Sequence, residues 1–162
     1  MGEQILSPEQ FQQLIAGLTS EIAAMPPEAA LADYLNNRYG ADSQLYKDIF
    51  AACRAGIADG WMCKHEGGGI RYGRVIKATD ATHGYSVDVV DMENIAGPHH
   101  VHPNGEIDLI MPLTDGAQFD QHPAGWCVYG PGSAHAPTVT AGRALVLYLL
   151  PQGAIEFTQA AR

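Results

Sequence analysis

From Trp61 onward, glycine and proline cut the chain into short runs of β-branched and aromatic residues: Ile70–Ala78, Tyr85–Met92, Glu106–Leu113, Trp126–Tyr129 and Ala144–Leu150. Several short runs at near-regular spacing, bounded by turn formers, predict an all-β sandwich or barrel. The first sixty residues follow a different period. Ser7-Pro8-Glu9-Gln10 predicts a helix start, with Ser7 as the cap, Pro8 where a missing N–H costs nothing, and Gln10 completing a capping box. Phe11, Leu14, Ile15, Leu18 and Ile22 then recur at helical spacing as one apolar stripe, which Met25-Pro26-Pro27 ends. A second helix carries Leu31, Tyr34 and Leu35 and stops near Gly40. A third begins after Asp42, turns Leu45, Ile49 and Cys53 inward, and is spent by Gly60. The expected organisation is a helical layer over residues 1–60, covering either one small β-barrel over 61–162 or a dimer interface.

Charge narrows the partners. Nine basic against eighteen acidic residues give a net charge of −9, which argues against nucleic acid and anionic membranes, since both need clustered lysine and arginine. No apolar run approaches the roughly 20 residues that span a bilayer. The opening MGEQILSPEQ lacks the basic start and apolar block of a signal peptide. Cys53, Cys63 and Cys127 are odd in number and form no C-x-x-C pair, so neither a disulfide framework nor a thiolate zinc site is expected. Cys63 and Cys127 have no evident base partner and read as buried thiols. These features together predict a cytoplasmic protein.

Seven histidines are many for 162 residues, and three fall in Gly97-Pro98-His99-His100-Val101-His102. On an extended strand His100 and His102 share a face, so both imidazoles can converge on one point, while His99 faces away. Glu106 follows a Pro-Asn-Gly turn that returns a carboxylate toward the two rings. Two imidazoles and a carboxylate suit a divalent transition metal. A fourth donor, His135, follows the Gly130-Pro131-Gly132 turn. Asp108 shares the parity of Glu106, and reads either as an acceptor that orients a ligand imidazole or as a solvated rim charge. His122, beside Pro123, reads as a solvent-facing loop residue. Lys64, His65, Arg71 and Arg74 surround Gly67-Gly68-Gly69, where an arginine can clamp a carboxylate. That triple glycine is not a phosphate loop, because no Gly-Lys-Ser/Thr follows it.

His-x-His-x-x-x-Glu followed by Gly-x-Gly-x-x-His resembles the paired motifs of the cupin superfamily, small jelly-roll β-barrels. By position, His100, His102, Glu106 and His135 match the four cupin metal ligands, and Gly125 the glycine that opens the second motif. Asn94 stands where the first motif has its leading glycine, its closing glycine comes at Gly116 rather than Leu113, and Gly130 replaces a proline. The resemblance leaves iron, manganese, zinc and nickel open.

With its helical first third, GPHHVHPNGEIDLIMP and GPGSAHAPTV, the whole chain resembles the para-hydroxylaminobenzoate lyases of bacterial nitroaromatic breakdown. That resemblance implies conversion of a small aromatic carboxylate, para-hydroxylaminobenzoate, to protocatechuate with release of ammonia; because cupin-like barrels often pair and the amphipathic helices add interface area, a homodimer is expected. Glu106 and Asp108 are then the candidate catalytic carboxylates. Arg71 is the candidate clamp for the substrate carboxylate, and Tyr129 or Trp126 the wall against its ring. Two other functions fit the same ligands: a cupin dioxygenase acting on a small aromatic or thiol substrate, and a non-catalytic cupin that binds metal or a small carboxylate.

Overall fold

Ser7 caps the first helix in the way its neighbours dictate. Its hydroxyl accepts the Gln10 N–H at 3.1 Å, and the Gln10 side chain accepts the Ser7 N–H at 2.9 Å, which closes the capping box on α1 (Pro8–Ile22). This is seen in a computed structural model that describes residues 6–158. Residues 1–5, half of the opening segment read as lacking a leader, lie outside the described residues. Phe11, Ile15, Leu18 and Ile22 bury the α1 stripe, with Leu14 packed at its margin. Helix α2 (Ala29–Tyr39) buries Leu31 and Leu35. Helix α3 (Gln44–Asp59) is capped by Ser43 and ends at Gly60, whose φ of 87° suits a residue without a Cβ. The inward face of α3 holds Ile49 and Cys53 as expected, but Tyr46 rather than Leu45 takes the buried position beside them. The reason is polar: the Tyr46 hydroxyl donates to the Ile110 carbonyl at 2.7 Å, so a buried phenol is satisfied while its ring fills the core. Among the described residues, no helix is long and apolar enough to cross a membrane.

Among the described residues ten antiparallel strands follow: β1 (His65–Gly67), β2 (Ile70–Ile76), β3 (Tyr85–Ala96), β4 (His100–His102), β5 (Glu106–Pro112), β6 (Gln118–Phe119), β7 (Gly125–Tyr129), β8 (Ser133–His135), β9 (Thr138–Pro151) and β10 (Glu156–Phe157). A seven-stranded sheet runs β1-β2-β3-β9-β5-β7 with β6 on β9, and a three-stranded sheet runs β10-β4-β8. The fold is mainly β and cupin-like, with the helical layer expected. The barrel is looser than the sequence predicts: among the described residues no ladder joins the two sheets, so the jelly-roll pair faces across a gap without closing.

That gap is where the site sits, and parity puts it there. Along β5, Ile107, Leu109 and Met111 face the helices, while Glu106, Asp108 and Ile110 face the small sheet. Along β9, Leu145, Leu147 and Leu149 alternate in the same way with Val146, Tyr148 and Leu150. Covered on both faces, β9 from Ala144 to Leu150 and β5 from Leu109 to Met111 read as unbroken apolar runs, and β5 alternates with acids only at Glu106 and Asp108, where it meets the centre. Each leucine or isoleucine so buried contributes about 1.5–3 kcal/mol.

One edge of the large sheet is β7, and α2 seals it. The Asn36 side-chain amide donates to the Trp126 carbonyl and accepts the Trp126 N–H, both at 2.8 Å, in place of a neighbouring strand. A Cβ at Gly125 (φ 129°) would stand 2.7 Å from that amide oxygen, so the glycine permits the seal.

Candidate metal centre

Two strands of the small sheet and one of the large sheet bring the donors together. Strands β4 and β8 pair with His100 opposite His135 and His102 opposite Ser133, which places three imidazoles on one patch. The turn after His102 then carries the chain across the gap. The Gly105 N–H closes it on the His102 carbonyl at 3.2 Å with φ at 93°, and a Cβ there would lie 2.8 Å from Pro27 Cγ and 3.0 Å from the Tyr129 carbonyl. Glu106 therefore enters β5 aimed back at the rings. Its Oε1 lies 3.3 Å from His100 Nε2 and 3.1 Å from His102 Nε2, and its Oε2 lies 3.5 Å from His135 Nε2. Four donor atoms, one from each residue, all lie within 4.8 Å of one another.

The outer nitrogens decide which way the lone pairs point. His100 Nδ1 faces the Pro98 carbonyl at 3.2 Å, which can only accept. His102 Nδ1 faces Ser133 Oγ at 3.0 Å, and that hydroxyl spends its own hydrogen on the Gly130 carbonyl at 2.6 Å. His135 Nδ1 faces Asp120 Oδ2 at 2.5 Å. In its neutral form every ring thus holds its proton on Nδ1 and turns an Nε2 lone pair inward. Those lone pairs meet a carboxylate, so acceptors face acceptors: His102 Nε2 and both Glu106 oxygens are buried without a hydrogen-bond donor. Donors about 2 Å from a shared transition-metal ion stand roughly 3–4 Å from one another, and the imidazole-to-Glu106 separations of 3.1, 3.3 and 3.5 Å fall in that range. The donor set therefore fits a divalent transition metal, held by His100, His102, Glu106 and His135.

The fields favour positive charge at the same point. Burial alone would raise the Glu106 carboxyl, but the three imidazoles gathered round it hold it well below the usual carboxylate range. Burial alone would lower His135, but its bonds to Asp120 and Glu106 carry it up to about 9. Asp108, fully buried next to Glu106, moves the other way: burial first and the Glu106 charge second push it well above its ordinary value.

A cavity of about 840 Å³ lies beside the centre, and His100 is the one donor that lines it. Tyr72, Tyr148 and Phe157 give it aromatic walls, and Arg74 and Asp88 supply its charges. Arg74 Nε and one terminal nitrogen bind the Asp88 carboxylate at 2.7 and 3.2 Å, and that nitrogen also reaches the Gly153 carbonyl at 3.3 Å.

The family model described as 4-hydroxylaminobenzoate lyase (PnbB) matches residues 13–157. A 4-hydroxylaminobenzoate lyase of Nocardioides sp. (strain LMS-CY) is 33% identical over 137 residues, 78% of this chain and 80% of that protein. The chain belongs to the 4-hydroxylaminobenzoate lyase family. A second 4-hydroxylaminobenzoate lyase, from Pseudomonas putida, is 31% identical over 146 residues, 80% of this chain and 83% of that one. Among solved structures, a protein of unknown function with a cupin-like fold from Ralstonia eutropha aligns over 59% of this chain and 62% of its own. Its identity is 18% and its TM-score 0.42.

In this member of the 4-hydroxylaminobenzoate lyase family, the four expected ligands come together and several expected neighbours do not. Arg71 is exposed and stands outside the cavity lining, on the opposite face of β2 from Ile70, Tyr72 and Arg74. One residue of parity separates the expected clamp from the cation that lines the cavity. Trp126 faces the helices and donates its indole N–H to the Tyr39 carbonyl at 2.9 Å, so it forms no cavity wall. Tyr129 is absent from that wall as well. It packs behind the centre, its ring 4.5 Å from that of His135, and donates its hydroxyl to Asp120. Asp108 points inward as its parity requires, yet it lies against Glu106 rather than accepting from an imidazole. His99 is half-buried, with Nδ1 2.5 Å from Thr158 Oγ1, and His122 is exposed. The carboxylate that does accept from an imidazole is Asp120, which the motifs did not reveal. Its only sequence signal is a polar Asp120-Gln121 pair in a turn, since aspartate tolerates the left-handed backbone seen there.

Proposed function

We propose that this chain is a metal-dependent lyase that takes 4-hydroxylaminobenzoate and water to protocatechuate and ammonia. The observation that carries the reading is the convergence of three Nε2 lone pairs on a buried carboxylate beside an aromatic-walled cavity, in a chain of this family. The reaction balances with one water: the N–O and C–N bonds break, the ring gains a hydroxyl beside the one that replaces nitrogen, and no external oxidant or reductant is used. His100, His102, Glu106 and His135 hold the divalent metal, which when bound supplies Lewis acidity to the departing oxygen.

The rest is the work of this chain's own residues. Arg74 takes the substrate carboxylate, held in a fixed orientation by Asp88 and the Gly153 carbonyl. Tyr148 and Phe157 flank the aromatic ring, and anchoring at Arg74 orients the hydroxylamine toward His100. Asp108, fully buried next to Glu106, keeps water from that side of the carboxylate.

The test is metal analysis of the purified protein followed by incubation with 4-hydroxylaminobenzoate, reading ammonia, the catechol product and dissolved oxygen. Stoichiometric ammonia without oxygen uptake is the expected result, and His100→Ala loses both metal and turnover. Full activity after chelation removes the metal from the reading. Oxygen consumption during turnover assigns a dioxygenase, and metal binding with no turnover assigns a binding protein.

A further inference from the structure

The hydrogen-bond acceptor for His135 is built with more care than those of its two partner rings. His100 leans on a backbone carbonyl and His102 on a serine hydroxyl, whereas His135 Nδ1 meets the charged Asp120 carboxylate at 2.5 Å. Three donors fix that carboxylate from different elements. The Tyr129 hydroxyl of β7 and the His135 ring of β8 both reach Oδ2 at 2.5 Å, and the Thr138 N–H of β9 reaches Oδ1 at 2.9 Å. The backbone is pinned as well, since the Asp120 N–H donates to the Thr138 carbonyl at 2.8 Å.

The turn that presents Asp120 is strained. Phe119 and His122 exchange backbone hydrogen bonds at 2.8 and 2.9 Å around Asp120 (φ 49°) and Gln121 (φ 71°). Two successive non-glycine residues in the left-handed region are costly, and such strain persists where surrounding contacts over-determine it. Here the contacts are those that place the carboxylate behind His135.

We infer that Asp120 is a positioning residue of the centre, fixing His135 as the Nδ1–H form with its Nε2 turned toward Glu106. The inference rests on the metal reading above. An imidazole whose Nδ1–H is given to a carboxylate has one ring orientation and one tautomer, and is the more basic ligand for it. Without Asp120 the ring is free to carry its proton on Nε2, which removes the third lone pair from the site. Only His100 among the donors lines the cavity, so Asp120 acts through His135 and not on substrate.

The test is zinc affinity, measured by chelator competition on the full chain, for wild type, Asp120→Asn, Asp120→Ala, His135→Ala and the Asp120→Ala/His135→Ala double variant. Loss of such a partner weakens metal binding by roughly 10–100-fold. Asp120→Asn is nearly isosteric but cannot serve both His135 N–H and Thr138 N–H as acceptor, so it shows the same loss with the fold retained by circular dichroism. The double variant binds zinc as weakly as His135→Ala alone, because Asp120 has nothing left to position. Histidine 15N spectra of the zinc-loaded wild type show His135 protonated at Nδ1, and this signature is lost or averaged in Asp120→Asn. Wild-type affinity in both Asp120 variants overturns the inference while leaving the metal centre standing. Additive losses in the double variant overturn it too, since they assign Asp120 a structural role elsewhere. A wild-type protein that binds none of zinc, nickel, manganese(II) or iron(II) overturns both the inference and the metal reading.

Discussion

At the scale of single residues, strand parity does most of the placing. Two histidines two apart on a strand must share a face, so His100 and His102 were legible as a convergent pair from the sequence alone, and Glu106 and Asp108 as a same-face pair on the next strand, with Asp108 left open between an inward acceptor and a rim charge. The same rule shows why Arg71 was the wrong arginine for the cavity: the sequence offers Arg71 and Arg74, and only pairing with β3 fixes which parity faces inward. Arg74→Ala is accordingly expected to raise KM for a benzoate substrate by tenfold or more with a smaller change in kcat, whereas Arg71→Ala leaves both near wild type; steady-state kinetics on the two variants decide it. A lost charge-assisted hydrogen bond costs about 1.5–3 kcal/mol, the origin of that factor. The cysteines behave as the sequence predicts: all three are free and buried. Burial, aided by the Asp91 charge against an opposing Arg71, pushes Cys63 up to about 12. Burial pushes Cys127 to about 12 as well, over a lowering hydrogen bond from Tyr129. At pH 8 the thiolate fraction of each is then roughly one in ten thousand. Native protein should react with a disulfide reagent at pH 8 far more slowly than urea-unfolded protein, in which three thiols titrate at once. The sign for stability follows. A thiol whose folded value lies above its unfolded value of 9.0 contributes nothing below that pH, and stability falls as pH rises from there toward 12.

At the scale of elements, what could be read depended on length. The helices carry caps and a stripe several turns long, and the long strands β2, β3, β5 and β9 carry enough apolar residues to declare themselves. Strands β1, β6 and β10 span two or three residues each, less than any periodicity can show, and exist only because a neighbour supplies the ladder. Edge protection was equally invisible. Asn36 lies on a helix, and nothing local tells that its amide completes a strand ninety positions away. Removing it leaves the Trp126 N–H and carbonyl without partners at the rim of the core. Asn36→Ala is therefore expected to destabilise the protein by about 1–3 kcal/mol, seen as a lower urea midpoint. Because β7 also carries Tyr129, which holds Asp120, that variant should weaken metal binding too, whereas an effect on stability alone would separate the edge from the centre.

At the scale of the whole molecule, the question is whether the helical third is an accessory or half of the core. The side chains of α1, α2 and α3 form a single apolar cluster with the outer face of the large sheet, including Val87, Val89, Leu109, Leu147 and Leu149. The helical third also reaches the site's frame directly, through Pro27 of the α1–α2 connection against the Gly105 turn and Tyr46 of α3 on the Ile110 carbonyl. A strand buried on both faces loses its solvent-compatible side when one cover is removed, and an exposed apolar sheet face of this extent associates rather than staying in solution. The sequence boundary at Trp61 marks a change of secondary structure, and the packing gives no reason for the two parts to fold separately. A chain beginning at Trp61 is expected to be insoluble, or, if soluble, to bind a hydrophobic dye and unfold without a cooperative transition, with no measurable metal affinity. Cooperative unfolding and wild-type metal binding by residues 61–162 would instead make the helices a separable layer, and the shared core an incidental contact. The comparison has a second reading: if the helical segment added as a separate peptide restores cooperativity and metal binding, the outer sheet face is its docking surface, and the metal centre depends on helices that supply none of its ligands.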